Sequence, residues 1–168
     1  MSVLSVSMSA SHSFGKMPTS YIYLLPKLGV QGDAHCGTSP SSNPRQVHLI
    51  DSSLFSSLSK PSSKSPSYQL SPGSLGENIT TSNLDLLSLG EGTRLHFGDD
   101  EGHAVVRISG IRQPRKRLDE WPEGLLERCA KKGKKIGVYA TVEKEGYVQP
   151  GSAVYVESPK HFKPLGYV

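Results

Sequence analysis

Residues 110–117 read GIRQPRKR, four cations gathered around one proline. A guanidinium stays protonated and presents a rigid fork of donors, so the chemistry this stretch offers is two-bond capture of a carboxylate or phosphate. The other chemically capable side chains fall in three short stretches: GVQGDAHCG (29–37), RQVHLID (45–51) and LSPGSLGENITT (70–81). The last reads either as a loop that brings backbone N–H groups up to a ligand or as a tight turn feeding a strand, because glycine admits positive φ. Glu77 is, with Asp33, one of two carboxylates in the glycine-rich motifs and is the general-base candidate.

The charge pattern bounds the partner. The formal net charge is +4. The cations fall in two clusters, RQPRKR and KKGKK (131–135), with Asp119, Glu120, Glu123 and Glu127 between them. A nucleic-acid domain concentrates its cations along one face or helix, and usually sets aromatic rings beside them for stacking. Here Trp121 stands alone, so the reading is a local anion site for a small-molecule substrate, with no nucleic acid. Lys116 and Arg117 are expected in solvent.

These residues need a scaffold. A chain of 168 residues buries roughly 70% of its unfolded surface, enough for one domain without covalent staples. Seventeen glycines and twelve prolines leave room for short elements only. Alternation predicts strands over 3–9, 45–50, 93–98, 104–110, 137–143 and 153–158, with the last two paired antiparallel through the turn-rich KEGYVQPGS. Two helices are expected. The first is DSSLFSSLS capped by Asp51; the second is PEGLLERCAKKG, opening at Pro122, with Leu125, Leu126 and Cys129 as its buried stripe. Residues 59–71, rich in serine and proline, form a polar loop within a single domain spanning 1–168. Many short strands with Gly/Pro turns predict a mostly β barrel or sandwich-like core. Two distant cysteines, no leader-like apolar run and nothing near the ~20 apolar residues of a membrane span predict a cytoplasmic protein with no membrane association.

In this order, the motifs resemble those of the MOSC domain, the molybdenum cofactor sulfurase C-terminal domain. Gly32, Asp33, His35 and Gly37 match its Gly-Asp-x-His-x-Gly element. Arg45, Gln46, Val47 and His48 match Arg-Gln-Val-His, and Pro72, Gly73, Leu75, Gly76, Glu77 and Asn78 match Pro-Gly-x-Leu-Gly-Glu-Asn. The resemblance implies a closed β-barrel, like the one inserted in pyruvate kinase, with a few short helices and a pocket at one mouth. It also implies an Arg-x-Pro-Cys element whose cysteine binds molybdenum or carries a persulfide. This chain has Arg112-Gln113-Pro114-Arg115, with a guanidinium in place of the sulfur.

The site expected from the motifs has His35, Glu77 and Arg115 as catalytic groups. Lys16, Asp33, His48, Gly76, Asn78 and Arg112 would bind the ligand, with no metal ligand from the protein. Lys16 matches a lysine near the start of the family's barrel. His35 reads as a site residue or as a loop histidine held by Asp33; His48 as a site residue or a satisfied barrel histidine; Asn78 as a turn cap. Cys36, beside His35, is the one thiol placed to replace the missing cysteine. Two functions follow: acid–base chemistry on a small polar or anionic organic substrate without molybdenum, and the family's molybdenum-cofactor chemistry as sulfur carrier or reductase of N-hydroxylated substrates. A non-catalytic binding protein and a homodimer are compatible with the same residues.

Overall fold

Period-two alternation shows directly in the burial of Arg94–Phe97, where Leu95 and Phe97 face the interior and Arg94 and His96 do not. The structure, a computed structural model, describes residues 1–38, 40, 42–60, 67–99, 103–114, 124–131 and 135–168. Along the chain the elements are β1 (Ser2–Met8), β2 (Met17–Thr19), β3 (Ile22–Leu25), β4 (Gly29–Val30), β5 (Val47–Asp51), α1 (Ser53–Ser59) and β6 (Ile79–Ser82). A 3-10 turn (Leu86–Ser88) follows, then β7 (Arg94–Phe97), β8 (Ala104–Ile111), α2 (Leu125–Lys131), β9 (Val138–Lys144), β10 (Gly146–Val148) and β11 (Val154–Glu157). The expected strands are present. The expectations missed β2, β3, β4 and β10, while β6 is the strand that one reading of 70–81 had its turn feed.

Eight strands form one sheet in the order β11-β7-β8-β9-β5-β6-β1-β2, and β10-β3-β4 form a second. All pairs are antiparallel except β5 with β6, which run parallel with Leu49 opposite Ile79. Side chains of both sheets, among them Val6, Leu24, Leu49, Leu95, Ile108 and Val148, make the main core. A smaller core joins Phe55 and Leu58 of α1 to Leu125 and Cys129 of α2, over Ile50, Leu75 and Ile136.

Two expectations are corrected. The barrel is not closed. One edge of β1 is taken by β6, the other by β2 from Val6 to Met8, so only its first residues can reach the β11 end of the sheet. They do so at one corner, through the bridge Ser2↔Ala153 and a Val3 N–H to Ser152 carbonyl bond of 2.8 Å. Nor do β9 and β11 pair. The connector contains β10, which leaves to pair with β3, so β11 lands on β7 instead.

Both helices begin later than expected, α1 at Ser53 and α2 at Leu125 after a turn at Gly124. Asp51 ends β5, yet its carboxylate still accepts the Ser53 N–H at 3.0 Å, the bond a cap would make. For α2, Pro122 lies outside the described residues, and Cys129 is fully buried as expected. Of loop 59–71, residues 61–66 lie outside the described residues, and Tyr68 is buried in the smaller core.

Candidate functional site

The strands end in loops at one mouth of the fold, and glycines let those loops meet at backbone distance. The turn after Pro72 is the clearest case. A Cβ on Gly73 would stand 2.1 Å from the Lys16 carbonyl oxygen, and one on Gly76 would stand 2.6 Å from that of Phe14. Both glycines have positive φ, +89° and +74°, so larger residues are excluded twice over. The close approach lets the Lys16 N–H bond the Gly73 carbonyl at 2.9 Å.

Under that turn lies Glu77, fully buried. Its carboxylate accepts the N–H groups of Gly73 at 2.5 Å and Leu75 at 3.1 Å and the Thr80 hydroxyl at 3.1 Å. Burial raises its pKa, and these donors only partly offset the cost. Glu77 does not line the cavity, so the structure places this expected base beneath the site, as the lock of its turn.

Asp33 is the hub of the loop 31–37. One carboxylate oxygen accepts the Lys16 ammonium at 2.5 Å and the Asn78 amide at 3.3 Å; the other accepts the backbone N–H and the Nδ1 of His35, each at 3.0 Å. Burial works against the charge on Asp33, yet the bond and charge of Lys16 and the bonds from His35 outweigh it. Its pKa therefore lies below the usual carboxylate value. Burial also lowers the Lys16 pKa, with Asp33 acting in the opposite direction. Asn78 ties the hub to the sheet, since its side-chain oxygen accepts the His48 N–H at 3.2 Å.

Arg112, one residue past β8, is fixed from below. Its Nη1 donates to the Leu75 carbonyl at 2.7 Å and lies 2.6 Å from Nδ1 of His48. The other ring nitrogen of His48 stands 2.7 Å from the Ile136 carbonyl, so Nε2 carries the proton and Nδ1 accepts from the guanidinium. Burial first, and then the charge of Arg112, hold the His48 pKa well below its usual value, so this histidine is neutral. The rings of Phe14 and Tyr139 each lie 6.0 Å from the guanidinium carbon, at the edge of cation–π range.

These groups surround a cavity of about 350 Å³. Of the expected ligand-binding residues, Lys16, Asp33, His48, Gly76, Asn78 and Arg112 all line it, as do His35 and Cys36. Arg115 lies outside the described residues. Sequence reasoning quoted Arg45 within its motif without assigning it a role; it supplies a further cation to the lining. Phe14, Tyr139 and Val168 were also missed. Val168 reaches the cavity because the last residues run beside β8, with Ile111 N–H to Gly166 carbonyl at 2.7 Å and a bridge from Ile111 to Tyr167. No local pattern announces that pairing.

Beside the Lys16–Asp33 pair, Arg45 and Arg112 bring two further cations to the lining. His35 is half-exposed, its side chain at 52%. Asp33 holds Nδ1 as the donor, which leaves Nε2 as the proton acceptor. The two thiols offer little as metal donors. Burial and the Asp33 charge push the Cys36 thiol up, and Cys129 is sealed in the smaller core. Among the described residues, no three His, Cys, Asp or Glu side chains converge to hold a metal ion. No helix among them is long and apolar enough to cross a membrane.

The family model for the MOSC domain matches residues 33–155. Among solved structures, the YuaD protein from Bacillus subtilis is 21% identical, with 94% of this chain and 96% of that one aligned at a TM-score of 0.75. YiiM from Geobacillus stearothermophilus is 20% identical over 94% and 75% of the two chains, with a TM-score of 0.67. YiiM from Escherichia coli is 18% identical over 95% and 71%, with a TM-score of 0.68. At these identities the likeness is one of fold. No curated protein matches the chain.

Proposed function

The chain belongs to the MOSC domain family, and we propose that it uses the family's pocket to bind a small organic anion at Arg112 and to transfer a proton at His35, without molybdenum. The observation that carries this reading is the fixing of Arg112. A neutral His48 and the Leu75 carbonyl hold its Nη1 at the wall of a cavity that Lys16 and Arg45 also line. A pre-positioned guanidinium loses little freedom on binding, and each charge-assisted bond it makes contributes about 1.5–3 kcal/mol.

The proton-transfer role rests on His35, oriented by Asp33 as a general base is oriented by a carboxylate partner. Arg112 then takes the part of stabilising negative charge that develops on the substrate. The donor set does not fit a molybdenum centre. The protein thiolate that the family resemblance implies is missing, because that position holds Arg115, and burial pushes the Cys36 thiol pKa up.

Calorimetric titration with benzoate and with inorganic phosphate tests the site. Arg112→Gln is expected to weaken binding of the better probe at least tenfold, about 1.4 kcal/mol. His35→Asn is expected to leave binding nearly unchanged, since His35 acts on the proton. Equal binding by wild type and Arg112→Gln sinks the reading. So does one equivalent of molybdenum with a pterin in the purified protein, which restores the inherited chemistry.

A further inference from the structure

We propose that a second site, on the β7–β8–β11 face and lined by none of the cavity residues, chelates a divalent transition metal through His96 and His103. His96 lies on β7 and His103 bridges to Tyr147 just before β8, so the pair spans the mouth of the β7–β8 hairpin. His96 Nδ1 and His103 Nε2 are 3.2 Å apart. Two nitrogens bound to one tetrahedral zinc at 2.0–2.1 Å are separated by about 3.3–3.4 Å. The rings thus stand within a few tenths of an ångström of the spacing that a shared ion requires.

The outer contact supports the same assignment. His96 Nε2 lies 2.9 Å from the Glu157 carboxylate on β11. Arg94 holds the other oxygen of that carboxylate at 3.0 Å. Glu157 accepts the Nε2 proton and so fixes His96 in the tautomer whose Nδ1 lone pair faces His103. This is the carboxylate–histidine arrangement that orients metal-bound imidazoles. His103 binds in the tautomer that carries its proton on Nδ1. Among the described residues no third side chain converges on the pair, and water fills the coordination positions that the two imidazoles leave. Two imidazoles with water suit Zn²⁺, Cu²⁺ or Ni²⁺ over Mg²⁺ or Ca²⁺.

A metal that binds only the folded chain raises its Tm with metal concentration. Zn²⁺ titrated into metal-stripped protein, followed by calorimetry and thermal melting, is expected to show one saturable site and a rising Tm. His96→Asn with His103→Gln keeps the bulk and polarity of both side chains and is expected to lower affinity at least tenfold. Glu157→Gln is expected to lower it by a smaller factor, because only the orienting contact is lost. The other imidazole pair, His12 with His35, has ring centroids 4.9 Å apart and serves as control. Substituting both with Asn is expected to leave Zn²⁺ affinity unchanged. Melting without metal confirms that each variant is folded. Zn²⁺ binding that survives the His96/His103 substitutions, or that disappears with His12 and His35, overturns the proposal, as does wild-type protein whose Tm does not respond to Zn²⁺. Because His96, His103 and Glu157 do not line the cavity, benzoate or phosphate binding to those variants reports separately on the pocket.

Discussion

Two regions of this molecule bind charge to charge under opposite conditions. At the cavity, the Lys16 and Asp33 side chains are 7% and 3% exposed and sit 2.5 Å apart under glycine turns. On the β7–β11 face, Arg94 is 43% exposed and reaches Glu143 at 2.6 Å and Glu157 at 3.0 Å. The separations are alike. What differs is the consequence of losing one partner: an exposed ion is taken over by water, while a buried one is left without a counter-charge. The cavity therefore holds its charges in fixed positions, which recognition requires, and the open face holds its charges loosely.

The sharpest break between the regions is expected from Asp33→Asn. It leaves the buried Lys16 ammonium without its ion-pair partner and removes the orienting carboxylate of His35 at once. The expected cost is about 3–5 kcal/mol, read as a lowered Tm or denaturant midpoint. The sign of its pH dependence follows from Lys16. Burial already lowers this lysine's pKa, and losing Asp33 lowers it further, so the folded variant releases its proton before the unfolded chain does. The deficit should therefore shrink as pH rises toward the lysine range. Adding Lys16→Met to the same chain should recover most of it. A deficit independent of pH and of residue 16 would mean that the ion pair is not what the loop rests on.

A smaller effect comes from His48, buried and neutral against Arg112 and within the influence of Lys16. Its pKa in the folded state is depressed, so below about pH 6.5 the unfolded chain takes up a proton that the folded chain refuses. Stability contributed by the neutral ring is full above that pH and falls as pH drops, by about 1.4 kcal/mol per pH unit until the folded pKa is reached. Glu77 works in the opposite sense, its raised pKa costing stability as pH climbs above the ordinary glutamate value, and that cost is common to wild type and variant. The difference in stability between wild type and His48→Gln, followed from pH 8 to about pH 5, isolates the histidine. A flat difference would place a proton on His48 in the folded protein and turn its contact with Arg112 into a repulsion.

The same division explains what the sequence revealed. Strands β1, β5, β7, β8, β9 and β11 run for four residues or more and were legible; β2, β4 and β10 are two or three residues long and exist through their partners. Within the site, Lys16, Asp33, His35, His48 and Arg112 sat in or beside the matched stretches, and all line the cavity. Tyr139 looks like any strand residue, and Val168 joins the cavity through backbone pairing with Ile111, so neither had a local mark. Glu77 was legible as important, but no spacing rule distinguishes a carboxylate aimed into a cavity from one aimed at the N–H groups of its own turn. The open edge of the sheet was invisible for a related reason. Closure depends on which strand takes the second edge of β1, and the three residues Met17–Thr19 decide it.

The smallest expected effect tests the open face. Arg94 and Glu157 are directly opposed across β7 and β11, a cross-strand pair, and Arg94 also bridges to Glu143 on β9. All three groups are reached by water, so Arg94→Ala is expected to lower Tm only slightly at low ionic strength. At about 1 M salt, where the screening length is near 3 Å, wild type and variant should melt together. Glu157 keeps its contact with His96 in the variant, so the local geometry has a second support. Melting both proteins across a salt series gives the answer. If Arg94→Ala proves as costly as Asp33→Asn and insensitive to salt, then exposure does not set the strength of these pairs, and the contrast between the two regions has to be attributed to strand pairing instead.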